Sequence, residues 1–123
     1  MSWEKLINEN KPLVITGTIN AYSALLAERA GIKAIYLSGG GVANASYGLP
    51  DLAMTSREDV LEDVRRIRSA SELPLLVDID TGWGSALAIS RSIKEMISAG
   101  ASGVHIEDQV SEKRCGHRPN KEI

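Results

Sequence analysis

The chain has 123 residues, 43% of them hydrophobic, and its 14 basic and 16 acidic side chains leave a formal net charge of −2. That is enough for one modest domain with the apolar share of an ordinary soluble protein. No polybasic run or aromatic series suits a nucleic-acid surface, no apolar stretch nears the roughly 20 residues that span a bilayer, and the single cysteine excludes an intramolecular disulfide.

Residues 1–12 hold no apolar signal core, so a cytoplasmic protein is expected. Residues 13–16 form the first of four short apolar runs that read as strands; the others are 34–37, 75–77 and 103–106. Each is continuous rather than alternating, as in a parallel sheet buried on both faces. Residues 21–30 read as a helix with Leu25 and Leu26 facing inward. After the second strand, Thr55-x-x-Glu58 resembles a capping box, and Val60, Val64 and Ile67 recur on one helical face. Ile89, Ile93, Met96 and Ile97 mark a further apolar face after Trp83-Gly84. Ala30-Gly31 and Ala99-Gly100 form a faint repeat, in which a glycine just past a helix turns the chain into the next strand. Strand, loop, helix, glycine turn, strand is an α/β pattern with right-handed crossovers.

Polar groups collect at the C-terminal ends of the strands, the edge where α/β folds bind ligands. Asp78 and Asp80 flank Ile79, and strand alternation points both to one face. Two such carboxylates repel unless a proton or cation lies between them, and a hard Mg²⁺ answers that need; Asp pairs also cap turns and helices. Glu107, with Asp108, would join the same charge cluster or serve as an ordinary loop carboxylate. Ser38-Gly39-Gly40-Gly41 offers backbone N–H groups and a hydroxyl to an anion, or makes a tight turn; it spells no nucleotide-binding fingerprint. Tyr36 could place a phenol at the same mouth. Asp51 reads as a turn residue before a helix. Trp83 and the strand residue His105 read as packing and as a hydrogen-bonded core group.

The densest cluster is Lys113-Arg114-Cys115-Gly116-His117-Arg118. Cations beside a thiol favour its thiolate, so the Cys115 proton would be easier to move, and His117 could tune that charge. Gly116 lets a ligand come close to the backbone, and the cations suit a carboxylate-rich substrate. The alternative is a basic surface loop with an incidental cysteine. A Cys-His hydrolase lacks an evident third, orienting residue.

KRCGH, followed by RPNK and preceded by HIEDQ, resembles the active-site loop of the isocitrate lyase and phosphoenolpyruvate mutase superfamily, most closely its 2-methylisocitrate lyase branch. TGTINAYSALLAERAG, YLSGGGVA, YGLPDL, LPLLVDIDTGWG and AGASGVHIEDQ are similar to that family in the same order, from about Leu13 onward.

The resemblance implies a (β/α)₈ barrel. Such a barrel takes about 250 residues, so residues 1–123 are expected to be a partial domain, its N-terminal half, with about four strand–helix units. It implies magnesium held by Asp78 and Asp80 with Glu107 in the cluster, Asp51 near the metal, and a substrate carboxylate bound at Ser38, Gly39 and Gly40. It also implies cleavage of the tricarboxylate 2-methylisocitrate to pyruvate and succinate in propionate breakdown, by a homotetramer. Lys113 would then help neutralise substrate charge and Cys115 would protonate the departing carbanion. Isocitrate lyases and oxaloacetate-type hydrolases of the superfamily are close alternatives. Without the contacts the family draws from later strands, a chain of this length is expected to be inactive alone.

Overall fold

The structure, a computed structural model, describes residues 2–123. Four strands, β1 (Ile15–Gly17), β2 (Ala34–Leu37), β3 (Leu75–Asp78) and β4 (Gly103–His105), pair in parallel in the order β1-β2-β3-β4. Helices α2 (Ala21–Arg29), α4 (Arg57–Ala70) and α5 (Ala86–Ser98) fill the crossovers. Two smaller elements complete the chain: α1 (Trp3–Glu9), and a helical turn α3 (Gly39–Gly41) that runs into a π-helical turn at Val42–Ser46. Strand, helix and strand succeed one another as four consecutive units of a (β/α) barrel do.

The register divides the sheet into two faces. Ile35, Leu37, Leu75, Val77 and Ile79 have no exposed surface and meet the helices. Each such aliphatic side chain contributes about 1.5–3 kcal/mol by leaving water. From the helix side come Val60, Leu61, Val64 and Ile67 of α4, Met96 of α5, and Ala24 and Ala27 of α2. On the other face, Tyr36 pairs with Leu76 and Asp78 with His105, so those polar groups lie side by side across neighbouring strands.

Local chemistry accounts for the element ends. Asn20 and Ser23 form a reciprocal capping box that starts α2. Gly31 (φ +81°) and Gly100 (φ +102°) both adopt the left-handed conformation after their helices, as the repeat leads one to expect. The box that starts α4 lies one residue later than Thr55/Glu58: Ser56 Oγ accepts from Asp59 N, and Asp59 Oδ2 accepts from Ser56 N. Thr55 itself is buried, and its carbonyl accepts the Trp83 indole N–H at 3.2 Å.

Three inward assignments also change. Leu26 is 46% exposed and Leu25 only half-buried, because α2 packs against α4 through the small Ala24 and Ala27, which let the two helices approach closely. Ile97 is 62% exposed while the hydroxylated Ser92 is fully buried, since the packed stripe of α5 runs through Ser92 and Met96. His105 is hydrogen-bonded but exposed, because the face it lies on carries no helix over that end of β4. The short helix α1 has no sequence periodicity to announce it. Ser2 caps it, Leu6 is buried beneath it, and the Trp3 indole donates to Ser102 O at 2.8 Å.

Candidate functional site

Three strand ends deliver carboxylates to one ammonium. Lys113 is 2% exposed, and its Nζ donates to Asp51 Oδ1 at 2.9 Å. The same nitrogen lies 2.7 Å from Asp80 Oδ1 and 3.9 Å from Glu107 Oε1. Asp51 comes from the segment after β2, Asp80 follows β3, and Glu107 follows β4. Burial alone would pull the Lys113 ammonium below the ordinary lysine range. Hydrogen bonding and charge from Asp80 and Asp51 outweigh burial and hold it above that range. Burial pushes the Asp80 carboxyl up; Lys113 opposes the rise, and the charges of Asp78 and Asp51 add to it.

Asp78 is positioned by backbone N–H groups on both oxygens. Gly39 N donates to its Oδ2 at 3.1 Å, and Asp80 N donates to its Oδ1 at 3.0 Å. The glycines after β2 are needed for close approach. A Cβ on Gly39 would stand 3.0 Å from Asp80 Oδ1, and one on Gly40 would stand 3.0 Å from Asp51 Oδ2. Ser38 caps this turn, its Oγ accepting from Gly41 N at 3.2 Å. The Gly39 N–H therefore faces the protein's own carboxylate rather than an open anion site.

Tyr36 and His105 occupy the helix-free face beside Asp78, with the phenol oxygen 3.0 Å from His105 Nδ1. Burial first, then the charge of Asp78, hold the Tyr36 phenol well above its ordinary range, so it stays protonated at any physiological pH.

The cysteine loop lies beyond β4. Cys115 is half-buried, and its Sγ is 3.8 Å from His117 Nδ1. Arg118 N donates to Cys115 O at 2.9 Å, and Lys121 Nζ donates to the carbonyls of Gly116 and Arg118. Gly116 faces open space and, with His105 and Glu107, borders a cavity of ≈ 330 Å³. The Lys113 ammonium, which the sequence sets two residues before the thiol, is matched by Asp51 and Asp80.

Gln109 is a site residue that the residue-by-residue reading passed over. It donates to Glu107 and to Arg114 O (3.0 Å) and accepts from Arg114 N (3.1 Å), so one amide ties the cysteine loop to the end of β4. Its only signal was its place between the acidic pair and the basic loop.

The donors suit a hard cation. All are carboxylate oxygens, and Asp80 Oδ1 is buried with the Lys113 ammonium, 2.7 Å away, as its charged partner. Among the described residues no group of three or more His, Cys, Asp or Glu side chains is placed to hold a metal ion by itself. Mg²⁺ needs only one or two carboxylates, taking its other ligands from water and substrate, so Asp78 and Asp80 meet the requirement.

A family model described as phosphoenolpyruvate phosphomutase matches residues 3–122. The 2-methylisocitrate lyase of Shewanella oneidensis is 63% identical over 123 residues, which is 100% of this chain and 42% of that protein. The Escherichia coli 2-methylisocitrate lyase is 62% identical over 118 residues, covering 95% of this chain and 40% of the relative. Among solved structures, oxaloacetate acetylhydrolase in complex with 3,3-difluorooxalacetate superposes with a TM-score of 0.85 at 34% identity, over 90% of this chain and 38% of that one. 2,3-Dimethylmalate lyase gives 0.81 at 31% identity, over 92% and 39%. The chain thus spans about two fifths of the length of the proteins it matches.

Proposed function

The chain belongs to the phosphoenolpyruvate phosphomutase family, and from that membership we propose that the protein acts as a lyase splitting 2-methylisocitrate into pyruvate and succinate, within propionate breakdown. The observation that carries the reading is the convergence of Asp51, Asp80 and Glu107 on buried Lys113 at the C-terminal strand ends, on a chain 60–63% identical to several 2-methylisocitrate lyases.

The reaction asks for charge control. The substrate hydroxyl gives its proton to a carboxylate of the acid cluster, the adjacent C–C bond breaks, and the electron pair moves onto the carbon that becomes C2 of succinate. The oxygen left behind becomes the carbonyl of pyruvate. Asp78 and Asp80, with Glu107 and Asp51 beside them, would hold Mg²⁺, which when bound supplies positive charge to the substrate oxygens. Lys113 stays protonated and contributes a fixed positive charge rather than a base. Tyr36, also held protonated, can donate a hydrogen bond to a substrate carboxylate, and Ser38, Gly39 and Gly40 shape the floor on which that carboxylate would rest. Cys115 hands its proton to the carbanion, and His117, 3.8 Å away, can replace it.

The test is product identification with magnesium present and removed. Pyruvate and succinate from 2-methylisocitrate, lost with chelator, support the reading; turnover of isocitrate or 2,3-dimethylmalate alone would replace the substrate. A second reading, hydrolysis of oxaloacetate, draws on the structural likeness to oxaloacetate acetylhydrolase. Oxalate release in the same assay would establish it. A cytoplasmic homo-oligomer fits such an activity; no helix among the described residues is long and apolar enough to cross a membrane.

A further inference from the structure

Four of the five residues from Asp80 to Gly84 have positive φ: Asp80 (+49°), Gly82 (+88°), Trp83 (+61°) and Gly84 (+143°). For Asp80 and the bulky Trp83 this is an unfavourable backbone conformation, and such conformations persist only where their surroundings fix them. Two side chains do so from behind. Ser92, fully buried in the middle of α5, shares its one hydroxyl proton between Ala88 O at 2.9 Å and Gly82 O at 3.2 Å. Trp83 packs on the core and sends its indole N–H to Thr55 O at 3.2 Å. Thr55 closes the segment that carries Asp51. The indole is thus a strut between the loop bearing Asp80 and the segment bearing Asp51, behind the same pair of carboxylates that Lys113 bridges in front. The fit is tight, since a Cβ on Gly82 would stand 2.5 Å from Ile89 Cγ1.

We infer that Trp83 and Ser92 are positioning residues that hold Asp80 in its left-handed conformation and set its separation from Asp51. Neither side chain hydrogen-bonds to the acid cluster, and neither was singled out by sequence for any part in it. Trp83 reads there as packing, and Ser92 carries no reading there at all. The loop they hold is built to be shaped from behind because both faces of Asp80 are occupied. Its N–H binds Asp78 Oδ1, and its carbonyl accepts from Glu107 N at 2.8 Å. A shift of the loop therefore reaches Asp78 and Glu107 as well.

The magnesium arm of the test rests on the proposed function; the exchange arm does not. Amide hydrogen exchange and magnesium binding are compared in the full-length protein and in three variants. Trp83→Phe keeps the ring and removes the N–H, and Ser92→Ala removes one buried hydroxyl. Trp3→Phe removes an equivalent indole bond, to Ser102 O, at the opposite end of the strands. Trp83→Phe and Ser92→Ala should each speed exchange of the Asp80 N–H by about tenfold relative to Val64 in α4. They should weaken magnesium binding by about tenfold. Trp3→Phe should change neither. Unchanged Asp80 exchange in both variants, or an equal change in Trp3→Phe, overturns the inference. Faster exchange in a protein that binds no magnesium leaves the positioning role standing and defeats the metal reading.

Discussion

Lys113 Nζ and Asp51 Oδ1 meet at 2.9 Å across 62 residues of sequence, in a site where the lysine is almost fully buried. The contact joins the loop after β4 to the segment after β2, and with Asp80 it spans the loop after β3 as well. Opposite charges taken out of water depend on each other, because removing one leaves the other desolvated and unpaired.

Lys113→Met should therefore destabilise the protein by about 3–5 kcal/mol at neutral pH, the usual consequence of breaking a buried pair from one side. Added magnesium should restore part of that loss by supplying the missing positive charge. Thermal melts with and without magnesium chloride measure both effects. A variant as stable as the parent would mean that the carboxylates do not depend on this ammonium.

Asp80 gives a pH dependence of unusual sign. Its folded-state carboxyl is raised, chiefly by burial, above the unfolded value of about 3.9. A raised group binds its proton more tightly when folded, so its contribution to stability is full below the unfolded value and is lost as pH rises through the folded one. Asp80→Asn removes that loss. In chelator-treated protein its stability should gain on the parent as pH rises from 4 toward the folded value, while magnesium binding is abolished. Parallel stability curves for the two proteins would show that burial does not govern this carboxyl.

Cys115→Ser should lower lyase turnover by a factor of about 100 to 10,000, the range lost with a positioned general acid. Magnesium binding should be unchanged, since Cys115 is a half-buried loop residue outside the acid cluster. Single-turnover kinetics with 2-methylisocitrate is the measurement, and a serine variant with parental rates would remove the thiol from the mechanism.

Gly40→Ala places a methyl group 3.0 Å from Asp51 Oδ2, and Gly39→Ala does the same beside Asp80 Oδ1. Each should cost about 1–3 kcal/mol, as overpacking in a tight site does. Urea unfolding reads the loss, and a neutral result would mean the turn relaxes away from the carboxylates.

The two outer strands leave apolar side chains in water: Ile15 is 37% exposed on β1, Val14 beside it 62%, and Ile106 beyond β4 43%. A polypeptide of residues 1–123 by itself should self-associate through these edges and show no turnover. Sedimentation velocity over a concentration series checks this, and Ile15→Lys should shift the distribution toward the monomer. A parental polypeptide that stays monomeric at high concentration would show the edges to be inert.

Sequence alone carried a good deal of this. The four parallel strands, the helices between them and the glycine turns at Gly31 and Gly100 were legible because each rests on local physics: apolar runs, a 3.6-residue period and a positive φ that only glycine adopts easily. The residues that meet at the site were also legible as types, since acids, a cysteine and cations followed the strands in order. The capping box starts one residue later than Thr55/Glu58, because Ser56 and Asp59 bond each other's backbone N–H.

What the chain order could not convey is who faces whom. The sequence placed Lys113 with Cys115, its near neighbour, whereas the fold gives its charge to Asp51 and Asp80. It left Ser38 to Gly41 open between an anion cradle and a tight turn; the fold makes a capped turn there, with the Gly39 N–H on Asp78 and the missing Cβ atoms making room for carboxylates. Chemistry of residue type and local spacing is written along the chain, because propensity and periodicity act over a few residues. Pairing of buried charges is decided only when the strand ends converge, because the energy of a charge depends on its distance to partners and on the water excluded around it, and neither exists before the sheet has formed.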